Sequence, residues 1–156
     1  MPTSAHRDPI AFELFKNAIF SIADEMALTV LRTTYSGVLK DNMDYSTGFA
    51  DADGRLVAQG LTLPGHLGSV PTAMQSIMRH YGNDMTDGDV FIMNDPFDGG
   101  MHLPDIFVFK PLYIDDQRFA FACWLIDWAS LRCFWSVGST DWAYSPAASF
   151  CFAAFW

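Results

Sequence analysis

Twelve consecutive residues hold most of the chemistry this sequence offers: Asn94-Asp95-Pro96-Phe97-Asp98-Gly99-Gly100-Met101-His102-Leu103-Pro104-Asp105. Three carboxylates, an imidazole and a Gly-Gly pair lie between two apolar runs, residues 90–93 and 106–109. Both runs read as strands, and a polar loop slung between rigid strands is a common way to build a site. His102 and Asp105 stand three apart with Pro104 stiffening the link, and an imidazole and a carboxylate can both ligate a divalent transition metal. Asp95 or His66 can supply a further ligand or a hydrogen bond to the imidazole. The competing reading is that Asp95 and Asp105 cap turns and His102 is a packed histidine. Gly99-Gly100 permits positive φ or close backbone approach, but no GxxxxGK[ST] motif occurs, so the chain shows no ATP site of its own. A GxSxG elbow and a Cys–His pair near the loop are also missing, which leaves attack by an activated water as the chemistry these residues best support.

The elements that must position this loop come before and after it. Asp8-Pro9 opens a helix, as an N-cap followed by a proline suited to the first turn. Ile10, Leu14, Ala18, Ile22, Met26 and Val30 then recur every four residues, predicting an amphipathic helix over residues 9–32, roughly 35 Å long. Residues 33–44 read as a polar, irregular connection. Asp53-Gly54 between two short apolar runs predicts a hairpin of residues 45–50 and 55–58. Residues 59–67 form a loop carrying His66. Ser69 and Pro71 begin a second helix whose apolar side is Val70, Met74, Ile77, Met78 and Tyr81, with Gly82 as its stop. Strands follow at 106–114, where Pro111 demands an edge or a bulge, and at 118–123. The expected fold is α+β: a long N-terminal helix, a hairpin, a second helix, then mainly antiparallel strands.

A net charge of −9 argues against nucleic acid or an anionic membrane as partner, and no 20-residue apolar span or N-terminal signal pattern occurs, so a cytoplasmic protein is expected. Three cysteines without a CxxC predict no disulfide framework. Composition breaks at the end. All five tryptophans and all three cysteines lie at or after Cys123, and residues 124–156 contain only Asp127, Arg132 and Asp141 as charged groups. A domain usually carries about a quarter charged residues, so such a tail cannot cover its own surface. Two readings compete: a core segment lacking its covering layers, or a non-native, frameshifted end. The second is favoured.

Several motifs occur together: Asp8-Pro9, Arg32-Thr33-Thr34-Tyr35-Ser36, Asp51-Ala52-Asp53-Gly54-Arg55-Leu56-Val57-Ala58-Gln59-Gly60, His66-Leu67-Gly68-Ser69, Gly88-Asp89-Val90, Asn94-Asp95-Pro96, Gly99-Gly100 and His102-Leu103-Pro104-Asp105-Ile106. In this order and spacing, residues 8–123 resemble the N-terminal part of the hydantoinase B family. That family takes in B subunits of N-methylhydantoinases, the C-terminal half of ATP-dependent 5-oxoprolinase and the large subunits of acetone carboxylase. The resemblance implies hydrolysis of a small cyclic amide coupled to ATP, with a hydantoinase A-like partner subunit binding ATP and phosphorylating the substrate. It implies a divalent metal on His102 and Asp105, with His66 and Asp95 as site-lining residues of the catalytic apparatus. Two departures stand out. Members run to several hundred residues, so residues 8–123 are expected to be an incomplete piece of a larger domain. The family's HHxDxGG-type segment is also replaced by Cys123-Trp124-Leu125-Ile126-Asp127-Trp128-Ala129-Ser130. A frameshift or truncation near residue 123 accounts for both the departure and the break in composition. The alternatives are a non-catalytic remnant that at most binds an A-type subunit, and an acetone carboxylase-like subunit.

Overall fold

The computed structural model describes residues 8–127. Its elements are α1 (Pro9–Thr33), α2 (Gly37–Asn42), β1 (Tyr45–Asp51), β2 (Leu56–Gln59), α3 (Pro64–Leu67), α4 (Val70–Tyr81), β3 (Phe91–Met93), a 3-10 turn (Pro96–Asp98), β4 (Asp105–Ile114) and β5 (Gln117–Asp127). The strands form one sheet in the order β2-β1-β5-β4-β3, with every pairing antiparallel. The α+β expectation holds.

Strand alternation sorts side chains to two faces of this sheet. Phe107 and Phe109 of β4, with Phe121, Cys123 and Leu125 of β5, pack under Val70, Ala73, Met74 and Ile77 of α4. On the opposite face Phe49, Ala58 and Ala120 meet Ile19 of α1. The result is a sheet between two helices. Among the described residues no helix is long and apolar enough to cross a membrane.

The two hairpins follow from their turn chemistry. Gly54 at φ +80° closes β1–β2, as expected. Asp115 and Asp116, both at positive φ, make the two-residue β4–β5 turn, whose twist suits antiparallel strands. Pro111 is buried opposite Phe121, yet β3 reaches only Phe107–Phe109 of β4. Beyond that point β4 has no ladder on its β3 side, and a residue without an N–H is tolerated there.

Five expectations need correction. Residues 33–44 are not wholly irregular: α2 forms within them and ends at Met43 in the left-handed region. His66 lies on the short helix α3, not in an open loop. Gly82 ends α4 with φ −55°, so it is no left-handed stop; it is required because a Cβ there would collide with the Met78 carbonyl. The fourth concerns α1. Its four-residue stripe, Ile10, Leu14, Ala18 and Ile22, faces solvent, and Ile19, Ala23 and Ala27 face the sheet. Small residues win that face because backbone must come close. Thr47 Oγ1 donates to the Ala23 carbonyl at 2.9 Å, Tyr45 Oη donates to the Ala27 carbonyl at 3.0 Å, and Gly60 passes beside Ala23. β5 also runs past the expected strand end at Cys123, so residues 124–127 belong to the sheet. The remaining expectation for the tail falls on residues 128–156, outside the described residues.

Candidate metal and acid–base site

The register of the sheet assembles a site that no local motif shows. Asp105 begins β4 and lies directly opposite Asp127, the last residue of β5. By alternation Asp105 continues the row of Phe107 and Phe109, and Asp127 continues that of Cys123 and Leu125, both toward the α4 face. On the other side of β5, Tyr45 pairs with Ile126, so Asp44 enters β1 at the same end of the sheet. Like charges set side by side across strands repel.

Asp105 is fully buried. His102 Nδ1 approaches Asp105 Oδ2 to 2.8 Å. The approach lacks hydrogen-bond geometry, so neither carboxylate oxygen has a hydrogen-bond partner among the described residues. Burial pushes the Asp105 carboxyl above its ordinary range; the nearby His102 and His66 oppose that shift, and Asp127 and Asp44 add to it. All four are therefore close enough to act on it electrostatically.

His66 is 4% exposed, carried on α3 against the sheet. Its Nε2 lies 3.3 Å from Asp44 Oδ1, and its buried Nδ1 has no partner among the described residues. With Nε2 directed at a carboxylate, the lone pair of the neutral ring belongs on Nδ1.

Of the four residues chosen from sequence, three come together: His66, His102 and Asp105. Asp95 sits apart from them. It is exposed, its carboxylate accepts from the Phe97 N–H at 2.8 Å to cap the 3-10 turn, and its carbonyl accepts from the Gly100 N–H. Sequence reasoning passed over Asp44 and Asp127. Only the strand register could have found them, because each looks locally like one more solvated aspartate.

The loop that carries His102 is pinned to α4. Asp98 accepts from Ser76 Oγ at 2.5 Å and from Arg79 Nη2 at 2.6 Å, and it pairs with His80 Nε2 at 3.1 Å. Thr72 Oγ1 donates to the Gly99 carbonyl. Gly99 has φ +103°, and a Cβ there would sit 2.6 Å from the Thr72 carbonyl oxygen. Glycine is required at that position on both counts.

Among the described residues no three His, Cys, Asp or Glu side chains are grouped closely enough to hold one metal ion; the close approaches are pairwise, His102 with Asp105 and His66 with Asp44. A buried carboxylate without a hydrogen bond is costly, and an imidazole beside it is a borderline partner for the same cation.

Known proteins share this sequence and fold. The model of the Hydantoinase B/oxoprolinase family matches residues 8–132. The chain is 35% identical over 106 residues to 5-oxoprolinase 1 of Arabidopsis thaliana, covering 68% of this chain and 8% of that protein. It is 34% identical over 106 residues to caprolactamase subunit beta of Pseudomonas jessenii, covering 68% of this chain and 18% of that one. The solved ATP-dependent caprolactamase from Pseudomonas jessenii superposes with a TM-score of 0.67 at 26% identity, over 77% of this chain and 21% of that one. A nucleotide-free acetone carboxylase superposes with a TM-score of 0.71 at 17% identity, over 78% and 16% of the two chains, which is a likeness of fold. The chain thus spans a fifth or less of the length of the relatives it matches here.

Proposed function

This chain belongs to the hydantoinase B/oxoprolinase family, and from that premise we propose that it contributes the metal and acid–base end of an ATP-dependent cyclic-amide hydrolase subunit. The observation that carries the reading is the convergence of Asp44, Asp105 and Asp127 with His66 and His102 at one end of the sheet. Relatives named for 5-oxoproline and caprolactam set the substrate class as a lactam or hydantoin ring. A partner subunit of the A type supplies ATP, in keeping with a relative that is itself a beta subunit.

His102 and Asp105 would hold a divalent metal, with Asp44 and Asp127 adding negative charge around it. When bound, such a metal polarises the ring carbonyl and so favours attack on its carbon. The chain's own groups do the remaining work. Asp44 holds the Nε2 side of His66, leaving Nδ1 free to take a proton from an attacking water. Water adds to the ring carbon of the substrate that the A-type subunit has O-phosphorylated, the ring C–N bond breaks as the proton passes to the departing nitrogen, and a second water cleaves the resulting acyl phosphate to carboxylate and phosphate. The row of buried apolar side chains behind Asp105 keeps bulk water from the acid–base pair.

Equilibrium dialysis of the 156-residue chain against a divalent metal tests the first half. About one ion per chain is expected, with loss in Asp105→Asn and in His102→Ala. No uptake by the wild type would overturn the metal assignment. The second half is tested by adding an A-type subunit, ATP and a lactam. ATP-dependent ring opening that Asp105→Asn abolishes supports the activity; turnover indifferent to that substitution would refute it.

A further inference from the structure

We infer that Ser76, Arg79 and His80 of α4 form an oxyanion-binding site that Asp98 fills from within the chain, and that an external phosphate ion taking the place of Asp98 releases the loop that carries His102. The meaning of that release for catalysis rests on the proposed metal site; the exchange of one anion for another does not. Three groups converge on one carboxylate. Ser76 Oγ donates to Oδ2 at 2.5 Å, His80 Nε2 lies 3.1 Å from the same oxygen, and Arg79 Nη2 donates to Oδ1 at 2.6 Å. An ionised carboxylate only accepts, so all three turn a hydrogen toward it. A hydroxyl, a guanidinium and an imidazole around one anionic group is a donor set that suits phosphate as well as carboxylate. The affinity of the place for an anion shows in Asp98 itself: the hydrogen bond from Ser76, with His80 and Arg79 adding to it, holds its carboxyl below the usual range.

Receptor and occupant come from different elements. Residues 76, 79 and 80 are spaced i, i+3, i+4, so α4 alone presents them on one face, whatever the loop does. Asp98 belongs to a three-residue 3-10 turn that runs straight into Gly99. Two observations make it displaceable. The contact is open to water, with the Arg79 side chain 63% and that of Asp98 38% exposed. A cleft of about 380 Å³ lies alongside, lined by Thr72, Gln75, Arg79, Phe97, Asp98 and Gly99. One water takes about 30 Å³, so a phosphate and several waters fit. The turn also surrenders little apolar burial on lifting, because Phe97 is 98% exposed. Phosphate has more oxygens than a carboxylate, so Ser76, Arg79 and His80 can each address a separate one, with the Gln75 amide beside them. Against it stands the tether: a short linkage keeps Asp98 at an effective concentration of millimolar or more, so phosphate competes only in that range. Phosphate is what an ATP-dependent hydrolysis releases, and its binding here would loosen the His102 loop after turnover. Once unpinned, so short a turn has little stability of its own, and the Gly100 N–H bond to the Asp95 carbonyl opens more often.

An NMR titration of the full chain with sodium phosphate, against sodium chloride at equal ionic strength and constant pH, tests this. Phosphate should give saturable shifts at the Ser76, Arg79 and His80 amides with a midpoint of several millimolar, and amide exchange at Gly100 should quicken several-fold as the site fills. Asp98→Ala should bind phosphate about tenfold more tightly, because the internal competitor is gone, and its Gly100 should exchange fast before any phosphate is added. If that variant loses its far-UV circular dichroism, Asp98→Asn replaces it with the same two expectations. Arg79→Gln combined with His80→Gln should abolish the saturable shifts. Shifts that chloride reproduces, an Asp98 variant that binds no tighter than wild type, or saturation that leaves Gly100 exchange unchanged would each overturn the proposal. None of these readouts needs a metal, so failure of metal uptake would strike the proposed metal site and leave this test standing.

Discussion

Asp105 is held in a place that a carboxylate resists, and its ionisation shows the cost. Burial raises its pKa, so between the ordinary carboxylate range and that raised value the folded chain binds a proton that the unfolded chain does not. The group's contribution to stability is therefore best in acid, falls as pH rises through the window, and stays low above it. Asp105→Asn removes the charge while keeping the shape. In metal-free protein it should raise stability by about 1 kcal/mol at pH 8, with the gain shrinking toward zero in acid, as measured by urea unfolding at the two pH values. A stabilising substitution at a residue needed for metal uptake would mark a site maintained for function at the expense of stability. The residues of this site were unequally legible in the sequence. His102 and Asp105 could be read because three residues and a proline tie them together. Asp44 and Asp127 could not, because their proximity depends on which strand lies beside which, and residue type carries no record of that.

Between residue and fold, two attachments decide where the site sits. Asp98 fastens the loop to α4, and its hydrogen bond from Ser76, with His80 and Arg79 adding to it, holds its carboxyl below the usual range. The fastening is therefore intact at neutral pH and is lost as pH falls below the ordinary carboxylate values. Ser76→Ala should speed amide exchange at Gly100 several-fold without changing exchange in β4, as read by hydrogen-exchange NMR. The other attachment is the close contact of α1 with the sheet. Gly60→Ala puts a methyl 2.9 Å from the Ala23 carbonyl and against Thr47, and should cost about 1–3 kcal/mol in thermal or chemical unfolding. This contact also explains why the face of α1 was misread. Periodicity marks apolar residues, and Ile10, Leu14 and Ile22 outweigh Ala23 and Ala27 on any such scale. Closeness of approach selected the small residues instead. By contrast, the Asp53-Gly54 turn and the limits of α4 were readable, because local backbone chemistry governs them.

At the scale of the molecule, the apolar rows of β4 and β5 under α4 make the main core, and Cys123 lies at its centre, fully buried with its thiol pushed far up. Modification at Cys123 by a thiol reagent should therefore proceed only through global opening. Its rate should follow the unfolding free energy across denaturant, as quantified by peptide mass spectrometry. The sheet order that creates this core also schedules its formation. β5 lies between β1 and β4, so it joins two halves, β2-β1 and β4-β3, that do not otherwise touch in the ladder. During synthesis both halves leave the ribosome before the strand that unites them. Until Asp127 has cleared the exit tunnel, each half presents an open strand edge to solvent or to a neighbouring nascent chain. Among the described strands, the residue that closes the carboxylate row is thus the last to arrive, and assembly of the site coincides with the joining of the two halves.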